Sequence, residues 1–508
     1  MKNQKELKNT IETGLDIISK ESDIIEAEIF ASSNKIRLNR ISFTTAFPSN
    51  GVEEPKSSGS FGVGILAVFE KNGKRLIGYG SEASDIRAEG IHSALNKARS
   101  NAVEDPDFYH LPDPSEIPDR WKSEKKDSEL FFDPSLRGIS EKDFVEAGWK
   151  TLEGAIETFE RKGKKDHLII GGDIISFHEE MAVGNTRGIH ANDSTARIIS
   201  SITAMCEKEN TKGTGSLASL NLEGFNPDYV GRTAAQNALS AIGGRKIKGG
   251  KYKVVMSPQA VSDLIDLIAA CINIDVIYAF SSPFMGKFGQ KILSSKITLY
   301  DDGRRPEGPG SKCFTCEGLP TGKKLLVENG KLAGFTSNHY SYLQMLHDPK
   351  GKEKLGVDPK DIREALYPQN GFRFSEKTGR SFESSPGIMN TNLVMECSNA
   401  MSHEELLREV GNGLYIGRIW YSYPINGLRA ADFTSTVVGD SYLIEGGKLG
   451  APLLPNAVRL NDNFVKLFQR VIGSSNTLTA VVSWNTDAQF PILPEVAFED
   501  LSVEEIAQ

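Results

Sequence analysis

Three turn signals constrain this chain more than any other feature. Asn72-Gly73, Asn329-Gly330 and Gly446-Gly447 each stand between short β-prone runs, in FGVGILAVFEKNGKRLIGYG, LLVENGKLAGF and YLIEGGKLGAP. A two-residue turn needs left-handed backbone, which Asn and Gly adopt at little cost, so each stretch predicts a tight hairpin. Antiparallel sheet is therefore expected in both halves of the chain. The likeness of residues 325–335 to 442–452 fits an internal duplication, and fits shared turn chemistry equally well.

Helices are interleaved with these strands. Ile11, Leu15 and Ile18 mark the apolar face of a first helix, and Ile86, Ile91, Ala94, Leu95 and Ala98 that of a second. Phe144, Ala147, Gly148, Leu152, Ala155 and Phe159 mark a third. DIIEAEIFAS, LIIGGDIISF and ARIISSITAMCEKEN read as strands. Residues 105–140 lack periodicity and read as a long connection. A helix near 227–242 closes this half, and GGRKIKGG is the expected domain boundary. In the other half, Ser402 and Glu405 form a capping box for a helix through Leu406, Leu407 and Val410. A chain of 508 residues exceeds one ordinary core. The pattern is α+β, with domains at 1–243 and 244–508.

Charge and composition exclude some roles. The net charge is −8, which gives no electrostatic basis for nucleic-acid binding. The densest basic run, KSEKK at 122–126, is short and reads as a solvated loop. No apolar run approaches membrane-spanning length, and the polar start MKNQKELKNT lacks a signal-peptide core. Five cysteines make no disulfide framework, so a reducing cytoplasm is expected.

VVMSPQAVSDLIDLIAACINID, residues 254–275, reads as a strand running into a capped helix. Ser257 is the N-cap and Pro258 the first helical residue. Val261, Leu264, Ile265, Ile268 and Ile272 form a buried face. Asp263 and Asp266, three apart, share a side. A paired-carboxylate site is conceivable there. The plainer reading has Asp263 favouring the helix N-terminus and Asp266 solvated.

The order and spacing of several segments resemble the TldD/PmbA family, known as modulators of DNA gyrase and associated with metalloprotease activity. These are FGVGILAVFE, VGNTRGIHA, KYKVVMSPQAVSDLI, LVENGKLAGF, TNLVMECSNAMSHEELL, YLIEGGKLGAP and AVRLNDNF. The resemblance implies an N-terminal α/β sandwich with an antiparallel sheet and a β-rich C-terminal domain. It also implies two kinds of subunit, of which the TldD-type carries an HExxxH helix and a C-terminal cysteine ligand. In an ungapped register ending at Asp275, this chain has Ile265 and Asp266 at the His-Glu pair and Ala270 at the second histidine. Ile and Ala offer no ligand atom. The last cysteine is Cys397, so the cysteine ligand is missing too. That pattern resembles the PmbA-type (TldE) subunit, with Asp266 a weak catalytic candidate. No cofactor is expected in this chain, and zinc is expected in a TldD-type partner.

Relocated sites are poorly supported. The histidines are His92, His110, His167, His178, His190, His339, His347 and His403. His178-Glu179 and His403-Glu404 are the His-Glu pairs, and neither is followed by a histidine at metalloprotease spacing. Both are expected on the surface. Cys313-x-x-Cys316 lacks the second pair of a zinc ribbon and the βαβ setting of a redox motif, and reads as two thiols in a loop. No G-x-S-x-G elbow or Walker lysine is present.

Three functions stand. The first is a PmbA/TldE-type subunit, paired with a TldD-type chain or with itself and acting on small or unfolded peptides. The second is a self-sufficient homodimeric peptidase in which Asp263, Asp266, Asp301 and Asp302 gather in one cavity. The third is a non-enzymatic peptide- or protein-binding regulator. Relative to the family, residues 36–60 read as a lengthened connection and 346–385 as a surface insertion. The aromatics of WYSYPINGLRAADF, 420–433, are expected in the core.

Overall fold

The computed structural model describes residues 2–47, 51–122, 130–373, 375, 380–482 and 488–506. Most of the KSEKK run lies outside them. The fold is mixed α and β. Its first part is a seven-stranded antiparallel sheet of β1 (Ile24–Thr44), β2 (Gly51–Val52), β3 (Lys56–Lys71), β4 (Lys74–Ala83), β5 (Leu168–Asn185), β6 (His190–Cys206) and β7 (Thr211–Ser219). The order is β4-β3-β1-β5-β6-β7, with β2 also on β1. Asn72 and Gly73, at φ of 53° and 72°, make the β3–β4 turn in the predicted left-handed conformation.

Residues 36–60 are not chiefly a connection. β1 runs unbroken to Thr44, pairing with β3 as far as Leu38↔Lys56 and with β5 as far as Thr44↔Ile169. Neighbouring strands satisfy its backbone, and its charged side chains reach the rim, where Arg40 meets Asp173 at 3.0 Å.

One face of this sheet carries helices. Ala27, Ile29, Ala31, Val63 and Ile65 pack on Ile11 of the helix Gln4–Ile18 and Ile91 of the helix Ala88–Ser100. Ile170, Ile202 and Ala204 pack on Leu152 and Val230, from the helices Glu141–Glu160 and Pro227–Ser240. The other face is covered by the C-terminal half: Phe30, Met181 and Val183 meet Cys316, Phe372 and Phe382. Three buried ion pairs stand on that face. Arg373 pairs with Glu28, Arg380 with Asp193, and Arg197 with Glu179 at 2.7 Å.

The 346–385 stretch is therefore no simple surface excursion. After the short helices at 351–355 and 363–366 it dives inward, and Arg373 and Arg380 become fully buried against partner carboxylates. The charged part at 348–361 is largely exposed as expected, with Lys352, Glu353, Lys360 and Asp361 on the surface, and the burial begins beyond it.

The C-terminal half has a ten-stranded and a six-stranded sheet. The helix Pro258–Ile272 joins both into one core. Its apolar face touches a cluster containing Val254, Leu414 and Phe498 from the larger sheet and Leu299, Leu326 and Met395 from the smaller. The two other predicted hairpins form, one in each sheet, with Asn329-Gly330 and Gly446-Gly447 all at positive φ. The Ser402–Glu405 capping box is present on the helix His403–Val410. No helix among the described residues is long and apolar enough to cross a membrane.

Candidate functional site

The helix Pro258–Ile272 begins on a doubly anchored cap. Ser257 Oγ accepts from the Ala260 N–H at 3.2 Å and donates to the Gly417 carbonyl at 2.5 Å. This ties the helix start to the strand Arg418–Pro424. Gly417 has no room for a side chain, since a Cβ would lie 1.9 Å from the Asp440 carbonyl oxygen. Val261, Leu264, Ile265 and Ile268 are wholly buried, as predicted. Gln259, Asp263, Asp266 and Ala270, at spacings of four, three and four, share the remaining face.

Of that face, Gln259 lines a cleft of about 330 Å³ between β5–β7 and the helix start. Gly171, Asp173, Ser201, Thr214, Gln259 and Arg418 line it. A roomier cleft of about 680 Å³, among Phe131, Pro134, Asn221 and Arg304, contains none of these helix residues. Asp263 Oδ2 accepts from Ser422 Oγ at 2.9 Å, and Ser422 meets Ser435 at 2.7 Å. Burial pushes the Asp263 carboxyl up to about 6, against the Ser422 hydrogen bond and the nearby Arg418 charge. Burial, with Asp263 adding repulsion, pushes Asp266 up to about 7. Asp440, held by Thr214 at 3.4 Å, is pushed up to about 6, again by burial.

Asp266 is thus half-buried rather than solvated, and both aspartates are desolvated together. The four-aspartate cavity does not form. Asp301 and Asp302 stand on the strand Ile297–Asp302 of the six-stranded sheet. There Asp301 accepts from the Thr391 N–H at 2.8 Å and from Asn370 Nδ2 at 2.7 Å. Asp302 caps the turn by accepting from the Arg304 N–H at 3.1 Å.

Other expectations are corrected by burial. His178 is only 6% exposed and lies 3.4 Å from Glu180, because its strand has covered faces on both sides. His403 is partly exposed and bonds Glu495 at 2.8 Å, which raises its basicity. Cys313 and Cys316 are in a loop as thiols, but both are fully buried. Burial pushes Cys316 up to about 11 and Cys313 higher still. Of the aromatics at 420–433, Phe433 is wholly buried as expected, whereas Tyr421 and Tyr423 are not core, at 68% and 52% exposed, like the neighbouring Ile425 at 49%. The exposed three stand on and just beyond the strand Arg418–Pro424, which ends its sheet.

A zinc ion of the protease kind does not fit this helix. Its exposed face offers two carboxylates, its one thiol, Cys271, is buried in the core, and Ile265 and Ala270 have no donor. Among the described residues one group of three metal donors converges, His110, Glu116 and His339, and it contains no residue of this helix.

The metallopeptidase C-terminal domain model of PmbA/TldA matches residues 249–505, half of the chain. The chain belongs to the PmbA/TldD family. Metalloprotease PmbA of Escherichia coli O157:H7 is 21% identical over 483 residues, covering 94% of this chain and 92% of that protein. A metalloprotease of Methanothermobacter thermautotrophicus is 25% identical over 263 residues, 51% of this chain and only 50% of that relative's length. TldE from Thermococcus kodakarensis superposes with a TM-score of 0.74 at 19% identity, covering 98% of this chain and all of that one (100%). A Thermotoga maritima protein described as a modulator of DNA gyrase gives 0.73 at 21% identity, over 97% and 99% of the two chains. These likenesses establish a PmbA/TldD fold. Arg418, Ser422, Asp440 and Thr214 escaped the sequence reading because strands distant in sequence bring them together. No spacing rule would have joined them to Asp263.

Proposed function

We propose that this chain is a PmbA/TldE-type subunit of a cytoplasmic TldD/PmbA-family metalloprotease complex that acts on small or unfolded peptides. A TldD-type partner carries the metal. The observation that supports this most is the helix Pro258–Ile272. Ile265 sits in the core, Ala270 offers no ligand, Cys271 is buried, and the donors left on the open face are Asp263 and Asp266. Hydrolysis is therefore assigned to the partner.

This chain's own contribution is access and alignment. The strand Arg418–Pro424 ends its sheet, and its Ser422 touches Asp263. An extended peptide adding to that edge would run beside the cleft, with Tyr421 and Tyr423 offering apolar contact. Five cysteines kept as thiols fit a reducing compartment. Residues 1–243 and 244–508 serve as the two domains in this reading, since no strand pairing among the described residues joins β1–β7 to the other sheets.

One observation favours the self-sufficient homodimer instead. Burial, with repulsion from Asp263, raises the Asp266 carboxyl to about 7, a range that suits a general acid or base. Incubating the purified chain with zinc and an unfolded peptide separates the two. The subunit reading expects no turnover. Turnover that disappears in Asp266→Asn would replace it.

A further inference from the structure

We propose that His110, Glu116 and His339 form a site for one divalent ion of the zinc type, which fastens the connection at 105–121 onto the helix His339–His347. The three side chains offer ligand atoms that all lie within 4.8 Å of one another. A tetrahedral zinc ion with bonds of about 2.0–2.1 Å sets its donors about 3.4 Å apart. Closing the group onto an ion therefore takes about 1 Å of side-chain movement.

The hydrogen bonds around the imidazoles suit ligation. His110 Nδ1 lies 2.9 Å from the Leu111 carbonyl, which a protonated Nδ1 satisfies. His110 Nε2 then carries a lone pair and faces Glu116 Oε1 at 3.5 Å. Either a proton on Nε2 or a cation between the two groups satisfies that pair, and the cation is the alternative that also engages His339. His339 Nε2 lies 3.1 Å from the His110 carbonyl, so donating there leaves the other ring nitrogen with its lone pair. Ligating histidines usually give their second N–H to a backbone carbonyl or carboxylate in this way.

Burial holds the neighbouring Glu317 carboxyl up to about 8, so at neutral pH it is largely protonated. Glu317 accepts from the His339 N–H at 2.9 Å, and Arg187, paired with Asp113 at 3.2 Å, places a positive charge near the ring. His339 is buried, whereas Glu116 is 40% exposed, so an ion enters from the Glu116 side and keeps a water there. Two imidazoles and one carboxylate select zinc, cobalt(II) or nickel over calcium or magnesium.

The fastening has a clear target. The same connection already touches this helix through Asp105 to the Tyr340 hydroxyl at 3.1 Å and Asp107 to Gln344 at 2.8 Å. Tyr109 stacks on His347 with centroids 3.9 Å apart. The ion would complete a strap between the two halves of the chain. His110 and His339 are 229 residues apart, so no HExxH-type spacing could announce them. The expectation of a metal-free chain accordingly narrows to a metal-free helix 258–272.

The test is titration of the chelator-stripped full chain with zinc against a chromophoric chelator, and with cobalt(II) by visible absorption. One equivalent should bind, with a tetrahedral or five-coordinate cobalt spectrum. Glu116→Gln and His110→Ala should each weaken binding more than about 100-fold, beyond what losing an outer-shell partner costs. His403→Ala should bind as the parent does. Glu116 is exposed, so its variant keeps the fold and the comparison stays valid if His110→Ala is unstable. A parent that binds zinc no more tightly than Glu116→Gln overturns the proposal. The readout is binding alone, so its failure leaves the subunit reading standing.

Discussion

Asp266 carries a free-energy cost that pH should expose. Its carboxyl is held at about 7, against an ordinary value of 3.8, chiefly by desolvation. Between those values the folded chain keeps a proton that the unfolded chain has lost, so stability falls as pH rises through the window. Asp266→Asn removes the cost. The variant is expected to be more stable than the parent by about 2 kcal/mol at pH 8, discounted for its partial exposure, and equal to it near pH 4. Urea denaturation at both values checks this, and a variant less stable at pH 8 would contradict it. Arg380 is the opposite case. Its removal leaves Asp193 fully buried without its guanidinium. Arg380→Ala should cost about 3–5 kcal/mol in the same assay. The cysteines give a third residue-scale expectation. A thiol reagent at pH 8 should modify Cys397, which is half-buried, and spare Cys313 and Cys316 until the chain is unfolded. Rapid labelling of the native Cys313–Cys316 pair would revive a redox role.

At the scale of elements, turn chemistry and helical periodicity were the legible part. The three hairpins rest on residues that tolerate positive φ, and the helix Pro258–Ile272 on a Ser-Pro cap followed by an apolar face. Local signals of that kind survive folding because tertiary context agrees with them. What misled was charge. Residues 36–44 and 373–385 are polar, and polarity reads as exposure, yet one is a central strand and the other delivers two arginines into the interior. The converse misreading fell on Tyr421 and Tyr423, apolar residues left outside because their strand ends the sheet. The cleft was illegible for a different reason, since its side chains come from distant strands. The edge strand yields its own prediction. Tyr421→Ala combined with Tyr423→Ala should change stability by less than about 1 kcal/mol, as exposed positions do. It should weaken binding of a fluorescent unfolded peptide about tenfold by anisotropy, given the share of binding energy that aromatic anchors carry. Unchanged peptide affinity would remove that edge from the account.

For the whole molecule, the two halves depend on each other. Glu28 and Asp193 on the N-terminal sheet find their arginines in the C-terminal half, and Phe30 and Met181 find their apolar cover there. Residues 1–243 expressed alone should therefore expose that face, bind a hydrophobic dye and self-associate. A monomeric fragment that binds no dye would show the interface to be dispensable. The same interdependence suits the proposed subunit role, in which this chain shapes a cleft and a partner holds the reactive ion. The most direct test of that claim is reconstitution with an HExxxH-bearing TldD-type relative, followed by peptide-cleavage assays of each chain alone and of the mixture. The account predicts a stable complex in which cleavage needs both chains and survives Asp266→Asn in this one. Cleavage by this chain alone, unaffected by the relative, would contradict it.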